Sequence, residues 1–354
     1  MAAMSYPLDD AFPTLAAALP RLPLGDWPTP LVTRIINIDG RPRRITIKCD
    51  DRSNAVYGGN KIRKLEYLLQ RARDNNAKRV ATFGTVASNH ALATSLHANA
   101  QDLECTCFLS HQHRTRKAAM AINAHLAIGT ELIPYGGSVA ARRKTLRQHV
   151  QGRECYIIPM GGSNWLGTIG FVNAGLELFT QYEAMRAPPP DRIYIANGTM
   201  GSAAGLALGL ALAGASTQVH AVRVTHDFVA NETLLTQLLE KAVKMLRRYD
   251  HSIPAGLADD VRVTLHHGYF GDGYARSNAA TDRAIQWARD ELEIELEATY
   301  TGKAIAAMID DLHDPASAEQ SFLFWNTYSS AHFDIDDAAS ADHSELPEAF
   351  LRYF

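Results

Sequence analysis

Two stretches of this 354-residue chain have the residue types and spacing to act on a small molecule. The first is "YGGNKIRKLEYLL", residues 57–69, in which Lys61 follows two glycines and precedes an amphipathic run. A cation near a helix N-terminus opposes the macrodipole, so helix stability does not call for a lysine there. Taken alone, a loop lysine is ordinarily a solvated surface charge. Held in place with its pKa lowered, the same amine is a nucleophile toward a carbonyl and forms a Schiff base with an aldehyde. The second stretch is "NGTMGSAAGL", residues 197–206, directly after the apolar "IYIA". A glycine-rich turn backed by a helix N-terminus offers backbone N–H groups to an anion. Gly198, Thr199, Gly201, Ser202 and Ala203 are small enough to let that anion close in, and two of them add hydroxyls. A close-packed helix start is the plain alternative. The spacing is G-x-x-G-x-x-x-G, late in the chain, rather than the dinucleotide G-x-G-x-x-G, although Asp227 stands where a ribose-binding acid would lie. No G-K-[ST] follows, so it is not a Walker loop. A monophosphate seat fits best.

An aldehyde for Lys61 and a monophosphate for the glycine turn occur together in pyridoxal phosphate. The elements that must position them read as a βα alternation. "RRITIKCDD" alternates as a strand, and "KLEYLLQRARDNNA" puts Leu65, Leu68, Leu69 and Ala72 on one helical face. "RVATFGT", "LECTCFLS", "TELIPYGG" and "CYIIPMGG" read as strands. They are separated by helices in "SNHALATSLHANAQ", which Ser88 is placed to cap, in "RKAAMAINAHLAIG", closed by Gly129, and in "SVAARRKTLRQHV". A longer helix, "GTIGFVNAGLELFTQYEAM", leads to "RAPPPDR", a stiff linker where a domain crossing is expected. Beyond it come strand, glycine turn and helix, the strand "VHAVRVT", the helix "ETLLTQLLEKAVKML", a loop and helix from Thr264 to Leu292, and a last strand in "SFLFWNTYSS". Short links between alternating strands and helices predict an α/β fold of mostly parallel sheets covered by helices on both faces.

Composition narrows the function classes. The chain is 46% hydrophobic and 21% charged, with a net charge of -3, the profile of a globular protein with a sizeable core. Its basic residues are scattered; the one cluster, "RPRR" at 41–44, lies in front of a strand-like run, which argues against nucleic-acid binding. Cys49, Cys105, Cys107 and Cys155 sit in or beside apolar strand-like segments and form no C-x-x-C pair, so neither zinc nor a disulfide framework is expected and a reducing compartment fits. The N-terminal stretch lacks a basic region followed by a continuous apolar run, and no run of 18 apolar residues exists. The expectation is a cytoplasmic protein that does not enter a membrane.

The motifs carry a family resemblance. "IKCDDRSNAVYGGNKIRKLEYLL", "ASNHALA", "MGGSNWLGTIGFVNAGLEL", "NGTMGSAAGL", "GDGYARSN" and "ATYTGKAIAAMIDD" occur in the order seen in the 1-aminocyclopropane-1-carboxylate deaminase / D-cysteine desulfhydrase family. These are fold-type II pyridoxal-phosphate enzymes, related more distantly to the tryptophan synthase β-subunit. The resemblance runs from about Pro28 to Thr327, and "GGNKxRKLE" together with "GGSNxxG" is a specific combination. It implies two three-layer α/β domains with twisted, mostly parallel sheets: a large cofactor-binding domain of residues 1–63 and 163–354, and a small inserted one of 64–162. It implies that Lys61 holds the cofactor. The family's "QSN" turn, which faces substrate carboxylate and cofactor and supplies a proton-shuttling serine, falls on Ser88, Asn89 and His90, with Ala87 replacing the glutamine. Its two substrate-facing tyrosines fall on Tyr274 and Tyr300, with Tyr269 a neighbouring substitute. Thr327 becomes the hydroxyl partner of the ring nitrogen, and Tyr328 replaces a glycine. Deaminases of the family have glutamate after the second tyrosine, whereas this chain, like desulfhydrase-like members, has Thr301.

The expected function is therefore β-elimination from a small amino acid, as in D-cysteine desulfhydrase, giving a keto acid, ammonia and a thiol or sulfide. A cyclopropane-ring-opening deaminase is the alternative within the family, and a cofactor- or amino-acid-binding protein without catalysis the alternative of another class. Relatives imply a homodimer.

Overall fold

Runs of Ile, Val, Phe and Tyr form the strands here, and most of them alternate with helices along the chain. The structure is a computed structural model that describes residues 6–330, 343–344 and 346–354; residues 1–5 of the N-terminal stretch lie outside it. In chain order the elements begin with α1 (Pro7–Ala11), α2 (Pro13–Ala18), β1 (Leu31–Ile38), β2 (Arg41–Lys48) and α3 (Lys61–Asp74). Then come β3 (Arg79–Thr85), α4 (Asn89–Asn99), β4 (Glu104–Ser110), α5 (Arg116–Ala127), β5 (Glu131–Pro134), α6 (Val139–Val150) and β6 (Cys155–Ile157). The rest is α7 (Trp165–Ala184), β7 (Arg192–Asn197), α8 (Gly201–Leu212), β8 (Gln218–Arg223), α9 (Glu232–Tyr249), β9 (Val263–His266), α10 (Ala279–Leu292), α11 (Thr301–Leu312), β10 (Phe322–Trp325) and α12 (Glu348–Leu351). The chain divides into two units. The larger holds residues 25–64 and 163–330 with the N-terminal helices, and the smaller holds 21–24, 65–162 and the described C-terminal residues.

The larger unit is built on a six-stranded sheet of order β1-β2-β10-β7-β8-β9. β1 lies antiparallel to β2 at one edge; β2, β10, β7, β8 and β9 run parallel to their neighbours. Alternate residues of each strand feed two cores. Tyr194, Ala196, Phe322 and Phe324 pack with α10 and α11 on one face, while Ile193, Ile195, Leu323 and Trp325 pack with α7 and α8 on the other. α8 is buried from Gly201 to Leu210, so it is a core helix rather than an amphipathic one. Its glycines let it press on α7: a Cβ at Gly205 would lie 2.3 Å from the Thr168 carbonyl oxygen, and one at Gly209 would lie 2.1 Å from that of Val172. This packing fixes the start of α8 at the carboxyl end of β7, where open α/β sheets bind ligands.

Two details differ from the sequence reading. "RAPPPDR" joins α7 to β7 inside the larger unit, which the chain has already re-entered at Ser163. A proline run marks a stiff connection and says nothing about what it connects. β9 lies within the stretch read as loop, because four residues of mixed exposure give too short an alternation to register.

The smaller unit is a four-stranded sheet of order β5-β4-β3-β6, parallel throughout. Among the described residues no helix is long and apolar enough to cross a membrane.

Candidate active site

Lys61 is the first residue of α3, and the loop before it is fastened on both sides. Gly59 takes φ +92, and a Cβ there would lie 2.9 Å from the Thr327 carbonyl oxygen, so both conformation and space require glycine. The Asn60 N–H donates to the Thr327 carbonyl at 3.2 Å, the Gly59 N–H to the Asp50 carbonyl at 2.8 Å and the Gly58 N–H to Ser329 Oγ at 3.1 Å. Beneath the loop lies a buried ionic floor. The Arg63 guanidinium donates to both Asp50 oxygens at 2.9 and 2.7 Å and to both Glu177 oxygens at 2.8 and 3.0 Å. It also stacks 3.9 Å over the Trp27 ring. Lys48 Nζ reaches Glu177 at 2.5 Å, and all four charged side chains are at most 1% exposed. Burial alone would raise the Glu177 carboxyl, but Arg63 and Lys48 hold it down at about 2. The first turn of α3 is thus locked to β2 and α7. Lys61 itself is half-buried, and burial lowers its amine from 10.5 to about 8, with Glu297 acting in the opposite direction.

The glycine turn has the features of an anion seat. Met200 takes a left-handed conformation, φ 65 and ψ -23, and α8 starts with no side-chain cap from Met200, while the Gly201 N–H donates to Ser163 Oγ at 3.3 Å. Asn60, next to Lys61, donates from Nδ2 to Ser202 Oγ at 3.0 Å, which ties the lysine loop to the seat. Thr199 Oγ1 lies 2.7 Å from Ser163 Oγ, and Lys64 Nζ donates to the same Ser163 oxygen at 3.0 Å. A Cβ added at Gly201 would come within 2.7 Å of Ser163 Oγ and 3.0 Å of Lys64 Nζ, so both side chains close in where the glycine has no side chain. Gly198 accepts from Thr225 Oγ1 at 2.8 Å, and Ala203 is fully buried behind it. Burial and the nearby Lys61 charge both lower the Lys64 amine well below its ordinary value. Hydroxyls, amides and an amine gathered about Gly201 are the donor set a phosphate monoester needs, so the residues present fit pyridoxal phosphate.

Tyr300 reaches this seat from α11, its ring carbon 3.5 Å from where a Gly198 Cβ would be. The hydroxyls of Tyr274 and Tyr300 share a hydrogen bond, with ring centroids 5.9 Å apart and nearly perpendicular. Burial and its partner Tyr274 push the Tyr300 phenol far up, so it stays protonated at neutral pH. Tyr269 instead donates to Asp310 at 2.8 Å, so the loop carries Tyr274, not Tyr269, to Tyr300. Thr301 is 1% exposed, and its hydroxyl accepts from the Glu297 N–H at 3.0 Å; the side chain is turned into the helix start. Thr327 follows β10 beneath Asn60, and the half-buried Tyr328 lies close enough to Tyr57 to add to the upward shift that burial gives the Tyr57 phenol. Asp227 is exposed and bonds its own turn through the Phe228 N–H at 2.8 Å.

Ser88, Asn89 and His90 belong to the smaller unit. Ser88 caps α4, its Oγ accepting from the Ala91 N–H at 3.3 Å, and Asn89 is the first helical residue. His90 is 3% exposed, with Nε2 bonded to Thr82 Oγ1 at 2.9 Å, so its ring faces that unit's interior.

The structure adds Asn60, Lys64, Ser163 and Glu297 to the residues singled out from sequence. The first three stand inside the quoted motifs, Lys64 three residues after Lys61 and hence on a neighbouring helix position. Glu297 follows no motif. Among the described residues no group of three or more His, Cys, Asp or Glu is placed to hold a metal ion.

Comparison with known proteins agrees with this chemistry. The family model described as pyridoxal-phosphate dependent enzyme matches residues 22–326. Nocardicin C-9' epimerase of Nocardia uniformis subsp. tsuyamanensis is 34% identical over 88% of this chain and 93% of its own length. D-cysteine desulfhydrase of Klebsiella pneumoniae subsp. pneumoniae is 32% identical over 83% and 88%. Among solved structures, an ACC deaminase homologue superposes with TM-score 0.74 at 27% identity, covering 93% of this chain and 98% of its own. A lysine loop, an anion seat on α8 and a match along nearly the whole chain together make this protein a member of the pyridoxal-phosphate-dependent enzymes, in the family of the ACC deaminases and D-cysteine desulfhydrases.

Proposed function

We propose that the chain is a carbon–sulfur lyase of the D-cysteine desulfhydrase kind, a cytoplasmic homodimer that converts a small amino acid into a keto acid, ammonia and a thiol or sulfide. One observation carries this reading: an amine lowered to about 8 stands one residue from the side chain that ties its loop to the anion seat. Bound there, pyridoxal phosphate supplies the electron-withdrawing ring that acidifies the Cα–H bond of an amino acid. Gly198, Thr199, Gly201, Ser202 and Ala203 hold the phosphate with the Lys64 amine, and Lys61 Nζ carries the α-proton. The family motif assigns the substrate carboxylate to Ser88 and Asn89, a helix start whose amides suit an anion. Tyr300, kept neutral by burial, is the proton donor at the leaving group, with Tyr274 orienting its hydroxyl. Elimination breaks Cα–H and Cβ–S; the sulfur leaves with a proton, and water then releases ammonia and the keto acid. A hydroxyl at Thr327 does not hold a ring nitrogen protonated as an aspartate would, which suits elimination better than transamination. Thr301 places no carboxylate where the deaminases resemble one another in having glutamate.

A second reading is epimerisation at Cα. It is favoured by the Nocardia relative and by the phenol pair, which gives the site a proton carrier besides Lys61. One experiment separates the outcomes: a screen of D- and L-amino acids in D2O, scored for keto acid, sulfide and deuterium at Cα, with borohydride fixation of the cofactor to Lys61. Keto acid and sulfide from D-cysteine support the lyase; ketobutyrate from the cyclopropane amino acid supports the deaminase. Deuterated substrate without keto acid supports the epimerase. A colour change on adding amino acids with no product and no exchange leaves a binding protein.

A further inference from the structure

The two phenols of the site come from different segments, and neither segment is fixed by the motifs that announce it. Tyr300 is the residue just before α11, with φ -125 and ψ -71 and no side-chain cap of its own. Tyr274 sits in the loop after Gly271 and Gly273, which take φ 65 and φ 144, followed by Ala275 at φ 57. Such a loop has no ladder or helix to hold it. Something else must bring the hydroxyls into register.

Two side chains of opposite charge do so from the same helix start. The Glu297 carboxylate accepts from three successive backbone N–H groups: Oε2 from Thr299 at 2.9 Å, and Oε1 from Tyr300 at 2.7 Å and Thr301 at 3.0 Å. Its own carbonyl takes the Gly302 N–H at 2.8 Å, and its own N–H donates to Thr301 Oγ1 at 3.0 Å. The amides that open α11 are therefore closed by one residue, and the Tyr300 backbone is pinned at both its own and the following N–H. Two residues into the helix, Lys303 is completely buried, and its Nζ donates to the carbonyls of Phe270 at 2.5 Å and Gly273 at 3.1 Å, passing 5.2 Å from the Phe270 ring centre. Those carbonyls flank the turn that delivers Tyr274. Carboxylate and ammonium thus hold one tyrosine each, within seven residues of chain.

We propose that Glu297 and Lys303 form a charged clamp at the head of α11 that registers the Tyr274 and Tyr300 hydroxyls against each other; both are positioning residues. The inference rests on the reading of that phenol pair as part of the site, but its test does not need turnover. 3-Fluorotyrosine is placed at position 300 of the full-length, cofactor-loaded protein, and its fluorine resonance is recorded in wild type, Glu297→Ala, Lys303→Met and Tyr274→Phe. The clamp predicts that Glu297→Ala and Lys303→Met each move the resonance in the direction that Tyr274→Phe does, because each breaks the same phenol contact. Lys303→Arg, which keeps a donor for the two carbonyls, restores most of the signal. Keto-acid release falls about a hundredfold in the two clamp variants, the size of an ångström-scale misplacement. Combining either with Tyr274→Phe adds little further loss, since the phenol contact is already gone. If Glu297→Ala does not fold, Glu297→Gln is read instead. It retains Oε1 as acceptor but sets an amide donor against the Thr299 N–H, and it shifts the resonance in the same sense. A resonance unchanged by Glu297→Gln and Lys303→Met overturns the clamp, whatever the activity. A shifted resonance in a protein that turns over no amino acid keeps the clamp and removes the lyase.

Discussion

The site has two helix starts made of opposite materials. α3 begins over charge: Arg63, Asp50, Glu177 and Lys48 lie beneath Lys61, each almost fully buried and each paired. α8 begins on backbone amides, small residues and hydroxyls, and the amine set beside Gly201, that of Lys64, is lowered well below its ordinary value. The difference follows from what each must do. A reacting amine has to be held in place and partly desolvated, and an ionic floor with directional hydrogen bonds resists displacement. A phosphate is recognised by dipoles whose positions need only a glycine turn and a packed helix behind it. The first kind of start fails when a side chain is removed, and the second fails when one is added.

The largest effect that separates the two is chemical. Lys61→Ala removes the amine and leaves the floor intact; keto-acid release should fall about ten-thousandfold, with no cofactor fixed by borohydride. Retained fixation elsewhere on the chain would move the reacting amine away from α3. Next is the floor itself. Arg63→Met leaves Asp50 and Glu177 facing only Lys48, and loss of one partner from a buried ionic network costs about 3–5 kcal/mol. Urea unfolding measures it, against Ser202→Ala in the seat, where a single hydroxyl contact is worth about 1 kcal/mol. Equal losses in both would show that the floor is not the more brittle construction.

A smaller effect runs the other way. Gly201→Ala adds a methyl group where Ser163 Oγ and Lys64 Nζ converge, and both side chains can swing aside, so stability stays near wild type. The phosphate then loses its closest approach, and cofactor affinity should weaken about 10- to 100-fold, about 1.4–2.8 kcal/mol. Titration of the apoprotein by cofactor absorbance reads it; unaltered affinity would place the phosphate elsewhere.

The same contrast governs how much could be read from the sequence. The glycine turn was legible as a close approach because glycine spacing is a backbone requirement: an added Cβ at Gly201 would meet Ser163 Oγ, and one at Gly205 the Thr168 carbonyl oxygen. The tight loop before Lys61 was legible for the same reason, through Gly59. The βα alternation was legible wherever strands were long and apolar, and not at the short β9. The floor was invisible, since Asp50, Arg63 and Glu177 are far apart in the chain and a charged residue in a sequence looks solvated until its partner is known. Glu297 escaped for a related reason: it serves α11 from four residues upstream, outside any N-cap spacing. His90 looked like a substrate contact because it follows Ser88 and Asn89, but a helix turns each successive side chain by about 100 degrees, and the third points at Thr82.

The smallest effect is a matter of protons. Burial lowers the Lys61 amine to about 8 in the folded protein from an ordinary 10.5. Below pH 8 both folded and unfolded chains carry the proton, and the folded one bears the cost of a buried charge. Between about 8 and 10.5 the unfolded chain keeps a proton that the folded chain has released, so stability rises with pH across that window. Lys61→Met abolishes this contribution, and Gly201→Ala leaves it in place. In the absence of cofactor, the unfolding free energy of wild type should therefore gain on that of Lys61→Met between pH 8 and pH 10, while wild type and Gly201→Ala run parallel. The same proton gates loading, because only the neutral amine attacks an aldehyde: cofactor uptake should quicken as pH rises and level off above about 8. A plateau reached only near 10.5 would mean that the amine is as solvated as a surface lysine, and that the loop holds it in place without desolvating it.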